Sequence, residues 1–198
     1  MAYNIKDKII LVDCDGVLCD WGYAFTQWME HTKNHKTVDS DAYNIAERFG
    51  LSAVEGKNMV REFNDSAAIA FLPPLRDSVF YMKRLNMLHG YKFICITSLS
   101  TNKYAQQLRT QNLKMLFGEE LWEDFIYLGC GADKDEELAK FKDTGCYWIE
   151  DKPANCEAGE KLGLYPILVG HDHNHGEHRW PRFTKWKRIY KWIARGDD

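Results

Sequence analysis

Residues 9–20 read IILVDCDGVLCD, and this stretch decides the fold class. The apolar run from Ile9 to Val12 predicts a short buried strand. It runs directly into Asp13-Cys14-Asp15-Gly16. Two carboxylates that close, at the end of a buried strand, repel each other unless a cation or a proton neutralises them. Mg2+ suits the task, because it takes oxygen ligands and is held by one or two carboxylates together with water and phosphate. Gly16 lets the backbone turn sharply away. The stretch therefore predicts a metal site with one carboxylate free to act as a nucleophile. The bland alternative is an Asp-rich turn whose side chains bond only to nearby backbone. A calcium loop of the EF-hand type is disfavoured, because Gly16 falls too early for its spacing.

Outward from this stretch, apolar runs alternate with amphipathic ones. Strands are expected at 8–12, 92–96, 125–128, 147–149 and 165–169, and helices at 76–88, 101–117, 153–162 and 184–194. Such alternation predicts an α/β, Rossmann-like parallel sheet flanked by helices. Ligands of such sheets bind beyond the carboxyl ends of the strands, where Asp13 and Asp15 lie. Residues 19–71 break the alternation, being far longer than an ordinary connection. Trp21, Phe25, Trp28 and Met29 recur there at helical spacing. Ser40-Asp41 is expected to cap a helix running to Arg48, with Gly50 after its end, and a third helix is expected over 54–63. Pro73-Pro74 closes the segment. The expected organisation is a core of residues 1–18 and 72–198, with a small helical cap of residues 19–71 over the strand ends.

Two further strand ends carry polar groups. Ile94-Cys95-Ile96 ends in Thr97-Ser98, whose hydroxyls and backbone N–H groups suit phosphate oxygens. Tyr147-Trp148-Ile149 ends in Glu150-Asp151, followed by Lys152 and by Pro153 at the preferred first position of a helix. Acidic residues favour a helix amino terminus in any case. A second acidic pair at a second strand end makes that reading alone less satisfactory. Asp13, Asp15 and Asp151 together would supply an oxygen-rich Mg2+ site. Lys134 follows the third strand, where its ammonium would neutralise phosphate and the carboxylates.

The bulk properties limit the partners. The chain has 198 residues, 45 % of them hydrophobic, and a net charge of −3. That balance gives no general attraction to nucleic acid or to an anionic membrane. The six cysteines show no CxxC pair and no zinc-ligand spacing. The start, MAYNIKDK, lacks the apolar segment of a signal peptide. No run approaches the roughly 18 apolar residues of a membrane span. A cytoplasmic protein with reduced thiols is expected. His171, His173, His175 and His178 have the look of a zinc cluster, but are read as a polar loop after the last strand. The basic, Trp-containing end is read as a helix packing its aromatic side on the core.

The ordered set DCDGVL, Thr97, Lys134 and Glu150-Asp151 resembles the four motifs of the haloacid dehalogenase superfamily of phosphatases. Within it the chain looks most like the 5′(3′)-deoxyribonucleotidases, through FLPPLRDSVFYMKRL, FICITS, LFGEELWEDFIYLGCGADK, WIEDKPAN and LVGHDHNH. It departs from them at Ala132, where an arginine is frequent, and at Glu150-Asp151-Lys152-Pro153, where Asp-Asp-Arg-Pro is usual. The resemblance implies a type 1 cap and Mg2+-dependent hydrolysis of a small phosphomonoester through an aspartyl-phosphate, a nucleotide being the expected substrate. A sugar phosphate or cofactor fragment is the alternative substrate, and a phosphate-binding protein without activity the alternative class. By resemblance Asp13 is the nucleophile and Asp15 the acid and base. Thr97, Ser98 and Lys134 hold phosphate. Asp13, the Asp15 carbonyl and Asp151 bind Mg2+, with Glu150 acting through water or orienting its neighbour. Trp21, Phe25, Trp28 and Tyr43 are candidates to stack on a base, and Lys103 to touch phosphate.

Overall fold

The computed structural model describes residues 8–195; the expectations for residues 1–7 and 196–198 lie outside the described residues. Strands β1 (Ile9–Val12), β2 (Lys92–Ser98), β3 (Trp122–Leu128), β4 (Tyr147–Glu150), β5 (Tyr165–Val169) and β6 (Arg182–Phe183) form one sheet in the order β3-β2-β1-β4-β5-β6. Every pairing is parallel. The chain leaves β1 for β2 on one side and later returns to β4 on the other. That makes the carboxyl end of β1 the topological switch point, the usual ligand position in such sheets.

The strand residues alternate between two cores. Ile10, Val12, Phe93, Cys95, Ile149 and Ile167 face one cluster; Ile9, Leu11, Ile94, Ile96 and Trp148 face the other. Helices α4 (Ser78–His89), α5 (Lys103–Phe117) and α8 (Trp186–Ala194) supply Met82, Leu85, Leu113, Phe117 and Ile189 to the first. The region of α6 (Asp135–Leu138) and α7 (Pro153–Lys161) covers the second with Leu138, Phe141 and Ala158. Because the sheet is buried on both faces, its strands read as continuous apolar runs rather than alternating ones.

Two strands are longer than their apolar runs suggest. β2 continues through Thr97 and Ser98, which pair with Tyr127 and Leu128 of β3. β3 starts at Trp122, with a register irregularity opposite Phe93 and Ile94. The two-residue β6 was not expected, being too short to show any periodicity.

Between β1 and α4 lie α1 (Trp21–His31), α2 (Ile45–Phe49) and α3 (Ala53–Asp65). α2 starts later than the Ser40-Asp41 expectation. Asn44 is its cap, its side chain accepting the Ala46 N–H at 2.8 Å. Residues 38–44 are irregular instead, held by the Arg48 guanidinium, which donates to the carbonyls of Ala42 and Ser40. Ser52 and Glu55 close a reciprocal capping box on α3. Phe25, Phe49 and Phe63 pack edge-to-face at the centre of the three helices. The segment is tied to the sheet through α3. Asn64 donates to the Leu99 carbonyl, and Asp65 accepts from the Ser100 hydroxyl.

The carboxyl-terminal helix braces the acidic loop from behind. The Trp186 indole N–H donates to the Val17 carbonyl at 2.8 Å. Asp77 accepts the first N–H groups of α8, from Trp186 and Lys187, both at 3.0 Å. Among the described residues no helix is long and apolar enough to cross a membrane.

Gly159 of α7 lies flat against Trp148; a Cβ there would sit 2.6 Å from the indole ring. An alanine in a helix interior ordinarily gains roughly 0.5–1 kcal/mol over glycine. Here the collision with a fully buried ring, costing about 1–3 kcal/mol, outweighs that gain. Gly159→Ala should therefore lower the urea midpoint at unchanged slope, measured by equilibrium unfolding. An unchanged or raised midpoint would show that the two elements are not in this contact.

Candidate active site

Strand parity carries on past the end of β1. Cys14 joins the cluster of Ile10 and Val12, and Asp13 turns to the opposite side, where Lys134 stands at the amino end of α6. β4 lies beside β1, with Val12 opposite Ile149 and the Asp13 N–H donating to the Ile149 carbonyl at 2.9 Å. Glu150 and Asp151 therefore come level with Asp13. One oxygen from each of the three carboxylates lies within 4.8 Å of the others, and all three groups are buried.

Their surroundings separate their roles. Glu150 is fully engaged. Oε1 accepts the N–H groups of Asp151 and Lys152 at 2.9 and 3.1 Å, and Oε2 accepts from Lys134 and Asn155 at 2.7 and 3.0 Å. Asp13 and Asp151 are not. Lys134 Nζ sits 2.7 Å from Asp13 Oδ1 as an ion pair, and Asp151 Oδ1 accepts no hydrogen bond. Asp151 Oδ2 lies 3.3 Å from His173 Nε2. The fully buried Asn174 donates to the carbonyls of Asp151 and Val169, both at 2.7 Å, fixing the two loops against each other.

Asp15 faces the other way. Its Oδ1 lies 2.5 Å from Nη1 of Arg109, a side chain of α5 with no exposed surface. The same Nη1 lies 2.6 Å from Cys14 Sγ, while Arg109 Nε and Nη2 have no hydrogen-bond partner. Arg109 escaped the sequence reading. The available signal was its position, four residues from both Ala105 and Leu113 on the buried face of α5. A cation inside an apolar stripe is rare unless it is paired.

The charges shape one another. Burial, and next the Glu150 charge, raise the Asp13 carboxyl to about 6 against the pull of Lys134. Burial raises Asp15 to about 7 although Arg109 opposes it. Burial also raises Glu150. For Lys134 burial works downward, but Asp13 and Glu150 outweigh it and hold the ammonium above its usual range.

Asp13, Asp15, Lys134 and Asp151 form the floor of a cavity of about 950 Å3 between the sheet end and helices α1 to α3. Thr97, Ser98, Lys134 and Asp151 line it with Asp13 and Asp15, and Trp21 and Tyr43 line it from above. The Ser98 hydroxyl donates to the Ala132 carbonyl at 2.8 Å, tying the Lys134 loop to β2. The Trp21 indole N–H donates to Asn64, and one ring face stacks on Phe25. Tyr43 stacks on His173 at 4.2 Å, and His173 on His171 at 5.3 Å.

Three expected pocket residues lie elsewhere. Phe25 is fully buried in the aromatic cluster of α1 and α3, where its ring holds the helices together. Lys103 donates to Gln106 on a shallow outer surface beside Tyr127, away from this cavity. Trp28 is likewise buried, against Phe25 and Phe63. The histidines diverge. The His171 ring meets the Gly16 carbonyl and Arg76, His178 meets the Asn174 carbonyl, and His175 is exposed.

This geometry has counterparts among solved structures. A haloacid dehalogenase-like hydrolase from Streptococcus pneumoniae aligns over 94 % of this chain and 98 % of its own, with TM-score 0.65 and 13 % identity. The chain has the haloacid dehalogenase fold. A phosphatase of that superfamily from Thermococcus onnurineus aligns over 94 % and 98 %, with TM-score 0.61 and 13 % identity. An L-2-haloacid dehalogenase from Xanthobacter autotrophicus, holding covalently bound chloropropionic acid, covers 95 % and 98 %, with TM-score 0.60 and 8 % identity. No protein-family model matches the sequence, and no curated protein matches it.

The residues on the floor of this haloacid dehalogenase fold fit a divalent cation. Three buried carboxylates meet one ammonium, which leaves an excess of about the charge of one such ion. Asp151 Oδ1 has no donor, a costly state that a hard cation relieves. Asp13 and Asp151 would hold it directly, with Glu150 orienting the Asp151 backbone and Lys134.

Gly16 keeps Asp151 in its seat. Its φ is +76°, and a Cβ would come within 2.7 Å of Asp151 Oδ2. Gly16→Ala should weaken divalent-cation binding about 10–100-fold by calorimetry, the usual cost of disturbing a ligand's support. Unchanged affinity would remove Asp151 from the cation site.

Proposed function

We propose that the chain is a Mg2+-dependent phosphomonoesterase working through an aspartyl-phosphate, with residues 19–71 acting as a cap over the strand ends. The observation that carries this reading is the convergence of the buried Asp13, Glu150 and Asp151 carboxylates beside the single Lys134 ammonium, with Asp13 and Asp151 lining one cavity. A bound Mg2+ would supply positive charge to draw in and polarise the phosphoryl group.

An Asp13 carboxylate oxygen attacks phosphorus and the bond to the leaving oxygen breaks, giving an aspartyl-phosphate. Asp15 gives its proton to that oxygen as the alcohol departs. Water then attacks the phosphorus, Asp15 takes the water's proton, and Asp13 and inorganic phosphate are released. Acid–base help of this kind contributes roughly 10²–10⁴-fold. Arg109 holds Asp15 at the cavity edge through both halves. Thr97, Ser98 and Lys134 hold the phosphoryl oxygens, over which the charge is spread.

Two observations favour a phosphomonoester over an alkyl halide, the substrate type suggested by the dehalogenase structures. Halide leaves without a proton, so the buried Arg109–Asp15 pair would have no task. A neutral carbon centre also makes little use of a floor suited to a divalent cation.

Within the phosphomonoesters, a deoxynucleoside monophosphate is the favoured substrate, as the sequence resemblance implies. Trp21 and Tyr43 each line the cavity with one ring face already stacked on protein, and the other face suits a base. Stacking on such a ring is worth roughly 1–3 kcal/mol. A sugar phosphate is the alternative, and a panel of nucleotides and sugar phosphates compared by kcat/KM separates the two. The expected surroundings are cytoplasmic.

The chemistry is tested with an aryl phosphate. Turnover should vanish on chelation and return with Mg2+. Asp13→Asn should lower kcat by at least about 10³-fold with the circular dichroism spectrum unchanged. Retained turnover in that variant would exclude Asp13 as the nucleophile.

A further inference from the structure

The charges around the cavity are segregated. Its floor carries Asp13, Asp15 and Asp151 with Lys134 and Lys152, and Asp20, the cap of α1, also lines it, whereas the stretch of its roof between residues 43 and 64 contributes no acidic side chain. That stretch contributes three cations, Arg48, Lys57 and Arg61. Arg48 is spent on the backbone carbonyls of Ala42 and Ser40. Lys57 and Arg61 stand one helical turn apart on α3, so they share a face. Gly56, Val60 and Asn64 of the same face also line the cavity, so this side of α3 looks down on the floor.

The helix does not neutralise this pair itself. α3 holds three acids, and each is engaged elsewhere. Glu55 closes the capping box with Ser52, Glu62 pairs with Lys33, and Asp65 accepts from Ser100. Among the described residues no ion pair or side-chain hydrogen bond joins Lys57 or Arg61 to a protein group. Like charges one turn apart cost a helix a few tenths of a kcal/mol. The pair is thus left without a protein counter-charge, and it faces a cavity much larger than one phosphoryl group needs.

We propose that Lys57 and Arg61 form a second anion subsite, so that the preferred substrate is a phosphomonoester whose leaving group carries another phosphate or a carboxylate at its far end. The inference deepens the phosphomonoesterase reading and rests on it. The first phosphoryl group sits on the floor, the organic part spans the cavity past Trp21, and the second anion meets the roof. Among nucleotides this favours a 3′,5′-bisphosphate over the corresponding monophosphate. The fork of Arg61 suits bidentate contact with either oxyanion, and Lys57 adds a point charge.

The test uses the Asp15→Asn protein with Mg2+, in which ligand should bind without turning over. Calorimetry compares thymidine 3′,5′-bisphosphate with thymidine 5′-monophosphate, and 6-phosphogluconate with glucose 6-phosphate. The added anion should tighten binding about 10–100-fold, as charge-assisted hydrogen bonds do, in at least one pair. The pair that responds identifies the second group as phosphate or carboxylate. Lys57→Ala combined with Arg61→Ala, both exposed positions, should bring that ratio close to one, and Lys57→Arg should keep it. The subsite is overturned if neither pair shows a gain in the parent protein, or if the double variant leaves the ratio intact. Failure of the phosphatase reading looks different. The wild-type chain would then leave aryl phosphate unhydrolysed while the anion ratio and its loss in the double variant persisted.

Discussion

The structure is organised around one electrostatic problem: carboxylates crowded at the ends of two adjacent parallel strands. Parallel pairing of β1 with β4 forces the problem, because it sets Asp13 level with Glu150 and Asp151. Burial makes it worse, since a low-dielectric setting penalises each charge and strengthens each repulsion. Much of the nearby architecture serves to hold the group together. Lys134 bridges two of the carboxylates, and two backbone N–H groups satisfy Glu150. Asn174 clamps the Asp151 loop to the end of β5, and Trp186 reaches across from the last helix to the carbonyl beside Gly16. Lys134 offsets only one of the three negative charges, and Asp13 and Asp151 line one cavity; the functional proposal grows from that uncompensated charge.

A second ion pair, of opposite layout, sits behind the first. Arg109 is a cation in a core of thiols and apolar side chains, and its counter-charge is Asp15 at the rim. Removing one member of such a pair costs more than never having had the pair, because the survivor stays buried and unpaired. The arrangement fixes Asp15 at the edge of the cavity without using any residue of the cavity floor. In the proposed reaction, acid–base and cation-binding tasks would fall to neighbouring aspartates with separate supports.

The sheet and the floor of the site were legible in the sequence because each depends on short-range pattern. Five buried strands announced themselves as apolar runs, and three of them ended in polar residues now found around one cavity: Asp13 and Asp15, Thr97 and Ser98, Asp151. What was not legible depends on distant packing. Arg109 becomes meaningful only when α5 folds against the back of the acidic loop. Phe25 and Trp21 look alike at helical spacing, and only the packing of α1 on α3 turns one inward and leaves the other on the cavity. Ser40-Asp41 is a plausible cap by residue type, but Asn44 has Glu47 three residues on, and Arg48 ties residues 40–42 into an irregular loop so that the helix starts after Asn44. Asn174 gave no signal at all, since a buried asparagine in a His-rich loop reads as solvent-exposed composition.

The ring column Tyr43–His173–His171 has a mechanical consequence. Moving Tyr43 away from the sheet peels it from His173. Such a ring contact is worth on the order of 1 kcal/mol, so thermal motion breaks and remakes it readily. The imidazole set loose touches Asp151, and its neighbour Asn174 anchors the Asp151 carbonyl. The exposed Tyr43 is thus two contacts from a buried carboxylate, so a displacement of its loop is felt at Asp151.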